Sequence, residues 1–151
     1  MRDDLLIFGW REWVALPSLG VARIKAKVDT GARTSALHAV EIRPFTENGI
    51  QRVQFRVQPK QRDRQTEMLC VADVFDQRTV TDSGGHQEDR WVISTMLSIG
   101  AHSWPIEVTL TARNDMKFRM LLGRTALNER ALVDSSASYV VGKKRERRVL
   151  K

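Results

Sequence analysis

Apolar and polar residues alternate along several short stretches of the chain. In Val21–Val28 the even-numbered residues are apolar, and residues 23, 25 and 27 are basic. Val53, Phe55 and Val57 alternate with polar residues, and Ser103–Leu110 has the same period of two. Successive side chains of a β-strand point to opposite faces, so this period predicts strands that are buried on one side.

The other segments favour the same class of fold. We predict strands at Trp10–Leu16, Ser35–Ile42, Met68–Phe75, Ala131–Val133 and Ser138–Val141, a hairpin between Arg78–Val80 and Arg90–Ile99, and one helical turn within Arg124–Arg130. In Met68–Phe75 the side chains available for burial are Leu69, Val71 and Val74. Many short strands with frequent turn signals predict an all-β barrel or sandwich with one short helix.

Length and composition indicate one domain at 1–142, followed by a basic C-terminal tail at 143–151. The chain has 151 residues, of which 42% are hydrophobic, enough for a real core. No apolar stretch is long enough to cross a bilayer. The one cysteine, Cys70, cannot form an internal disulfide, so we expect a cytoplasmic protein without membrane contact.

The net charge of +7 is concentrated in the tail. Its six basic residues and one acidic residue supply five of those charges. Such a tail can contact nucleic acid or an acidic partner, or it can be only a solvated terminus. No aromatic residue interleaves with the basic ones, which weakens the case for single-strand binding by base stacking.

The segment Asp29-Thr30-Gly31-Ala32 carries the clearest chemical signal. It follows the predicted strand Val21–Val28, so it places a carboxylate at a tight turn, where the Gly31 amide and the Thr30 hydroxyl can bond to it. About ninety residues later, Met120–Leu122 leads into Gly123-Arg124. Taken alone, Asp-Thr-Gly is also an ordinary turn sequence. The two elements in this order indicate aspartic proteolysis.

A pepsin-type mechanism needs two carboxylates that share one proton, so that one acts as general base and the other as general acid. This chain has one Asp-Thr-Gly. The economical solution is a homodimer in which each subunit contributes Asp29. Thr30 would then bond across the two-fold axis, and Gly31 would let its backbone approach the carboxylate.

These residues resemble those of a known family. Asp29-Thr30-Gly31-Ala32 and Leu121–Arg124 are similar to the hallmarks of retropepsin aspartic proteases. The stretches Gly9–Pro17, Lys25–Ala39, Trp104–Thr111 and Met120–Leu127 resemble a bacterial family that is called "ATP-dependent zinc protease, RimK/LysX family". The resemblance implies a retropepsin-like closed β-barrel and a dimeric, peptide-cleaving protein.

The same resemblance assigns further residues to peptide binding. The hairpin tip with Gly84 and Gly85 is similar to a flap that closes over a bound peptide, although it can also be only a flexible turn. Thr34, Ala36 and Leu121 are candidates for the pocket walls. Members of the family are associated with ATP-grasp ligases that add glutamate to a ribosomal protein, so such a ligase or a ribosomal protein is a candidate partner.

One residue departs from that family pattern. In retroviral enzymes an acidic residue after Asp-Thr-Gly-Ala pairs with the later arginine, but Arg33 stands there in this chain. The pair is then absent or uses Glu41, Glu129 or Asp134. Arg33 can instead face an acidic substrate group, or it can be an exposed rim residue.

The sequence supports neither zinc nor ATP. It has no glycine-rich phosphate loop, and His38, His86 and His102 are scattered. We therefore expect no metal and no cofactor. Two alternatives to a peptidase stay open: a non-catalytic module that binds a glutamate ligase or ribosome and, least favoured, a zinc-dependent peptidase.

Overall fold

The structure is a computed structural model that describes residues 4–61, 65–113 and 115–143. Its strands are β1 Leu6–Gly9, β2 Arg11–Leu16, β3 Val21–Val28, β4 Ser35–Glu47, β5 Ile50–Val57, β6 Met68–Thr81, β7 Gln87–Ile99, β8 His102–Thr111, β9 Met120–Leu122 and β10 Ala131–Asp134. One α-helix, α1 Arg124–Leu127, and one 3-10 turn, Pro17–Leu19, are found in these residues. The predicted all-β class with one short helix is confirmed.

Eight strands form one sheet in the order β2-β3-β9-β4-β5-β6-β7-β8. Additional pairings of β2 with β7 and of β4 with β8 curl this sheet into a ring. Closure is uneven, because β2 meets β7 through the single residue pair Ala15 and Ser98. The result is the retropepsin-like barrel that was predicted, in an irregular form from which the β4–β5 and β6–β7 hairpins extend.

The core lies inside this ring. Val53, Phe55 and Val57 are fully buried, as their alternation predicted, and Trp104 on β8 is almost fully buried. Its indole nitrogen donates a hydrogen bond to the carbonyl oxygen of Ala126 in α1 at 2.9 Å. This contact ties the helix to the barrel wall.

Parts of two predicted faces are wrong, in each case by a shift of one residue. On β3, Ile24 and Ala26 are buried as predicted, but Val21 is buried and Ala22 exposed, because an extra residue of β3 opposite Val14–Leu16 shifts the register. On β6, Leu69 and Val71 point outward, and Cys70 takes the buried position between them. Val74 packs against the core as expected.

Cys70 is buried, and its thiol donates a hydrogen bond to the carbonyl oxygen of Leu19 at 3.3 Å. Burial raises the pKa of this thiol to about 11, since a thiolate loses its hydration there. The side chain is therefore a small core residue.

Both ends of the described chain differ from the prediction. Leu6–Gly9, for which no strand was predicted, pairs in parallel with β10. Ser138–Val141 was predicted as a strand and is irregular. The reason is the Glu12 carboxylate, which takes the amides that a strand would give to a neighbour.

Glu12 is fully buried and accepts four backbone hydrogen bonds. Its Oε2 accepts from the amides of Gly9 at 2.6 Å and Val140 at 3.0 Å, and its Oε1 accepts from Val141 at 3.1 Å and Gly142 at 2.6 Å. We call Glu12 with these four amides the Glu12 latch. The latch fixes the C-terminal segment across β2.

Candidate functional site: the Asp29 loop and its groove

Asp29 lies where β3 leaves the sheet. Val28 is the last residue of β3 that pairs with β9, opposite Leu122. The Asp29 amide then donates to the Leu122 carbonyl oxygen at 2.8 Å, so the sheet holds the backbone up to the carboxylate. The Gly31 amide donates to Asp29 Oδ1 at 3.1 Å, as the sequence predicted. The carboxylate is partly exposed, and this one amide bond leaves most of its lone pairs for other partners.

The predicted bond from the Thr30 hydroxyl to the carboxylate is not found in the described part of the chain. Thr30 is exposed, and it contributes to the site through its backbone. The Arg124 guanidinium donates through Nη1 to the carbonyl oxygens of Thr30 at 3.0 Å and Gly31 at 3.3 Å. Arg124 thus braces the Asp29 loop.

This geometry answers the question of the missing acidic partner. The guanidinium of Arg124 binds backbone carbonyls, so it needs no carboxylate after Asp-Thr-Gly-Ala. Glu41 pairs with Arg56, and Asp134 accepts from Ser136, so these two acids are engaged elsewhere. Arg33 is exposed, and no ion pair or hydrogen bond of its side chain occurs among the described residues.

Gly123 explains why the second element contains glycine. A Cβ atom at this position would lie 2.6 Å from the carbonyl carbon of Thr34, a distance that backbone atoms cannot accommodate. The Gly123 amide donates to the Ser35 hydroxyl at 3.0 Å. The backbone amides of Arg124 and Thr125 then donate to the carbonyls of Ala32 and Arg33 at 2.8 and 3.0 Å. Close contact between the two elements is therefore built into the backbone.

A groove of about 640 Å³ runs past Asp29. Six of the nine predicted site residues line it, namely Asp29, Gly31, Arg33, Thr34, Ala36 and Leu121. Thr30, Gly84 and Gly85 do not. The volume is in the range of small-ligand and peptide sites.

The β6–β7 hairpin forms the opposite wall. Its residues Arg78 to Ser83 line the groove, so the flap contributes its stem and the near side of its tip. Asp82 closes the tip, because its Oδ1 accepts from the amides of Gly84 and His86, each at 2.9 Å. These bonds, the one from the His86 amide above all, hold the pKa of Asp82 below its usual value.

Sequence reasoning missed the arginines of the groove. Besides Arg33, the described lining includes Arg78, Arg90 and Arg113. Arg78 forms ion pairs of 2.7 Å with both Asp76 and Glu107, and the hydrogen bonds that it donates to these carboxylates raise its pKa. Arg90 is buried, pairs with Glu88 and donates to the Thr109 hydroxyl at 3.3 Å. For Arg78 the sequence did offer a signal: alternation along β6 places residues 78 and 80 on the same face of the hairpin.

The described residues do not fit a zinc site. Nowhere in 4–61, 65–113 and 115–143 do three histidine, cysteine or acidic side chains come together in a way that could hold a metal ion. His38 is fully buried, and its Nε2 lies 3.2 Å from Gln58 Oε1. It is therefore a hydrogen-bonded residue of β4.

The chain matches, over residues 7–144, the model of a family described as "RimB-like: Retropepsin-like aspartic endopeptidase RimB". It belongs to the RimB-like family. The match confirms the resemblance to retropepsins. Its description mentions neither the zinc nor the ATP of the other family name.

Curated relatives carry a different name. Proteins called "Probable alpha-L-glutamate ligase" from Shewanella halifaxensis, Shewanella pealeana and Desulfotalea psychrophila are 45%, 46% and 43% identical over 97%, 95% and 94% of this chain. The matches cover 32%, 31% and 31% of those proteins. The chain therefore spans about a third of the length of the curated relatives it matches.

A solved structure supports the fold. The crystal structure of Lpg0085 from Legionella pneumophila, a protein of unknown function (DUF785), superimposes with a TM-score of 0.75 at 24% identity. The match covers 89% of this chain and 97% of that one. No helix in the described residues is long and apolar enough to span a membrane.

Proposed function

We propose that the chain is an aspartic-type peptidase that acts as a homodimer. The observation that carries this proposal is the Asp29 carboxylate, which lies on a braced loop at the edge of a peptide-sized groove and accepts one amide bond, from Gly31. Membership of the RimB-like family supports the same chemistry. One such loop per chain means that the second carboxylate comes from a second copy.

In the dimer two Asp29 side chains share one proton, since two like charges a few ångströms apart cannot both ionise cheaply. The ionised member takes a proton from a water held between them. That water attacks the peptide carbonyl carbon while the protonated member gives its proton to the carbonyl oxygen. The Gly31 amide and Arg124 keep the loop in place during these transfers.

The substrate is an extended peptide that lies between the Asp29 floor and the β6–β7 flap, with Gly84 and Gly85 at the flap tip. Three of the four groove arginines, Arg78, Arg90 and Arg113, already form ion pairs with acidic neighbours. Arg33 is exposed and forms no ion pair among the described residues, so it is available to an acidic side chain of the substrate. The ligase names of the relatives fit this charge, because a glutamate ligase makes an acidic product. We place such a ligase, or a ribosomal protein carrying added glutamate, among the cytoplasmic partners.

Asp29→Asn tests the catalytic part. We expect cleavage of acidic peptides to fall by about 10³-fold or more, because the variant cannot form the shared-proton pair. Asp82→Asn is the matched control, since it also removes a groove carboxylate, and it should keep most of the activity. Undiminished cleavage by Asp29→Asn would refute the mechanism. Sedimentation should show dimers in both proteins.

A binding module that lacks catalysis is the second candidate. It is favoured by one observation, that the chain corresponds to about a third of proteins named as ligases. On this reading the wild-type protein binds a separate ligase as tightly as Asp29→Asn does, and neither cleaves. Removing residues 143–151 separates tail-mediated contacts, including nucleic-acid contact, from those of the groove.

A further inference from the structure

Arg119 lies next to the groove but has had no role so far. It directly precedes β9, and its carbonyl oxygen accepts from the His38 amide at 2.8 Å. This bond continues the antiparallel register of β9 and β4, in which Leu121 stands opposite Ala36. Arg119 therefore stands opposite His38, two residues along the strand from Leu121.

The same register shows which face of the sheet Arg119 occupies. Ala36 pairs with Thr109 and His38 pairs with Thr111 on β8. Ala36, Leu121, Thr109 and Thr111 all line the groove. Residues two apart on a strand share a face, so Arg119 extends the groove-lining face beyond Leu121.

The Arg119 side chain is only 4% exposed. Its Nε and Nη1 atoms are buried and have no hydrogen-bond partner in the described structure. The neighbouring polar groups bond to each other: His38 bonds to Gln58, whose amide donates to Glu67 Oε2 at 2.8 Å. Neither Nε nor Nη1 of Arg119 bonds to this carboxylate.

An always-charged guanidinium that is buried with two unbonded donors is costly, since its hydration has been lost without replacement. A carboxylate is the partner whose shape and charge restore those bonds, and it can accept two of them side by side. A buried guanidinium with two unbonded nitrogens, on the face that lines a binding groove, marks the position of a ligand group.

We propose that Arg119 is a specificity-determining residue that binds a carboxylate of the peptide in the groove. Arg119 is three residues from Leu122, the partner of Val28, or about 10 Å along the strand from the Asp29 loop. An extended peptide covers this distance in about three residues. The proposal rests on the proposed function only in that the groove binds a peptide. Because Arg119 is covered, binding includes a local movement of the groove wall.

Peptide binding to Asp29→Asn protein tests this without any need for cleavage. We use peptides of eight residues that carry one glutamate at successive positions and glutamine elsewhere, with amidated and free C-termini. We expect Arg119→Gln in this background to weaken binding about 10–100-fold for one glutamate position and little for the others. Arg119→Lys should restore part of that loss. Arg113→Gln, which removes an exposed groove arginine, should weaken all positions by a similar small factor.

The amidated peptides identify the source of the carboxylate. If only free C-termini respond to Arg119→Gln, the ligand group is the chain end; if amidated peptides respond equally, it is the side chain. Equal losses at every position, or none, would overturn the proposal.

Thermal unfolding without peptide distinguishes a ligand site from a structural arginine. An unbonded buried charge destabilises the free protein, so Arg119→Gln should unfold at an equal or higher temperature than its parent. Sodium formate, compared with sodium chloride at equal ionic strength, should stabilise the parent and not the variant. A marked loss of stability in Arg119→Gln, or failure to fold, would show that Arg119 is structural and would overturn the proposal.

Discussion

Glu12 and Asp29 are two carboxylates that both accept backbone amides, but they lie in very different surroundings. Glu12 is fully buried, and its two oxygens accept four amides from two separate parts of the chain. Asp29 is partly exposed and accepts one amide, from its own turn. The latch joins Gly9 to residues 140–142, whereas the Asp29 bond orders a single loop.

The number of hydrogen bonds that each carboxylate accepts distinguishes a structural role from a chemical one. A carboxylate whose lone pairs are all bonded to amides is a fixed part of the fold, because protonation or a new partner would break existing bonds. A carboxylate with unused lone pairs in an open groove is free to exchange a proton with water or substrate. By this criterion Glu12 serves the fold, and Asp29 is the carboxylate that the proposed reaction can use.

The most sensitive test compares Glu12→Gln with Asp29→Asn in urea unfolding. Glutamine replaces an acceptor with a donor that faces amide donors, so we expect Glu12→Gln to lower the free energy of unfolding by about 3 kcal/mol or more. Asp29→Asn should change it by less than about 1 kcal/mol, because one exposed bond is altered. Equal losses would abolish the distinction between the two carboxylates. Glu47→Gln, at an exposed ion pair, is the control for loss of charge alone.

Glycine substitutions sharpen the same comparison. A Cβ at Gly142, in the latch, would overlap the Trp13 carbonyl oxygen, whereas a Cβ at Gly31 would meet Asp29 Oδ1 at 3.3 Å. We expect Gly142→Ala to cost roughly 2–3 kcal/mol in unfolding and Gly31→Ala about 1 kcal/mol or less. Gly31→Ala should instead reduce peptide cleavage, since it shifts the carboxylate. A stable Gly142→Ala protein would show that the C-terminal segment is not held as described.

The smallest effect concerns Asp82, a third carboxylate that accepts amides. Its pKa is lowered in the folded protein, so the flap-tip turn is stabilised above the pKa of an ordinary aspartate and loses that contribution as the pH falls through the lowered value. Amide hydrogen exchange of Gly84 and His86 should therefore become less protected, relative to other exposed turns, as the pH falls below about 4. Asp82→Asn should remove this dependence. The same profile in the variant would assign it to another group.

Local patterns were sufficient to predict most of the strands and the contact between the two backbone elements around Asp29. Alternation in Val21–Val28 and around Phe55 follows from burial on one side, which tertiary contacts do not change. The order of Asp29-Thr30-Gly31 and Gly123-Arg124 also predicted that the two elements meet. The two elements meet through their backbones, and Gly123 is visible in the sequence because no larger residue fits at that contact.

Features that depend on distant contacts could not be predicted. The role of Glu12 depends on amides about 130 residues later in the sequence, and nothing near Glu12 marks them. The face of β6 was wrong because Leu69 and Val71 alternate with the inward-facing Cys70 on a strand that is regular there. The outward position of Ala22 on β3 follows from a register shift that composition does not reveal. The partners of Arg124 were missed because they are carbonyls, which every residue has.

The single buried cysteine gives this protein a built-in probe of its own opening. A thiol with its pKa near 11, hydrogen-bonded beneath the 3-10 turn, reacts slowly with alkylating reagents at neutral pH unless β6 separates from its surroundings. With no other cysteine in the chain, one mass shift reports every such event. The labelling rate of Cys70 can thus report barrel opening, with and without peptide, without any engineered label.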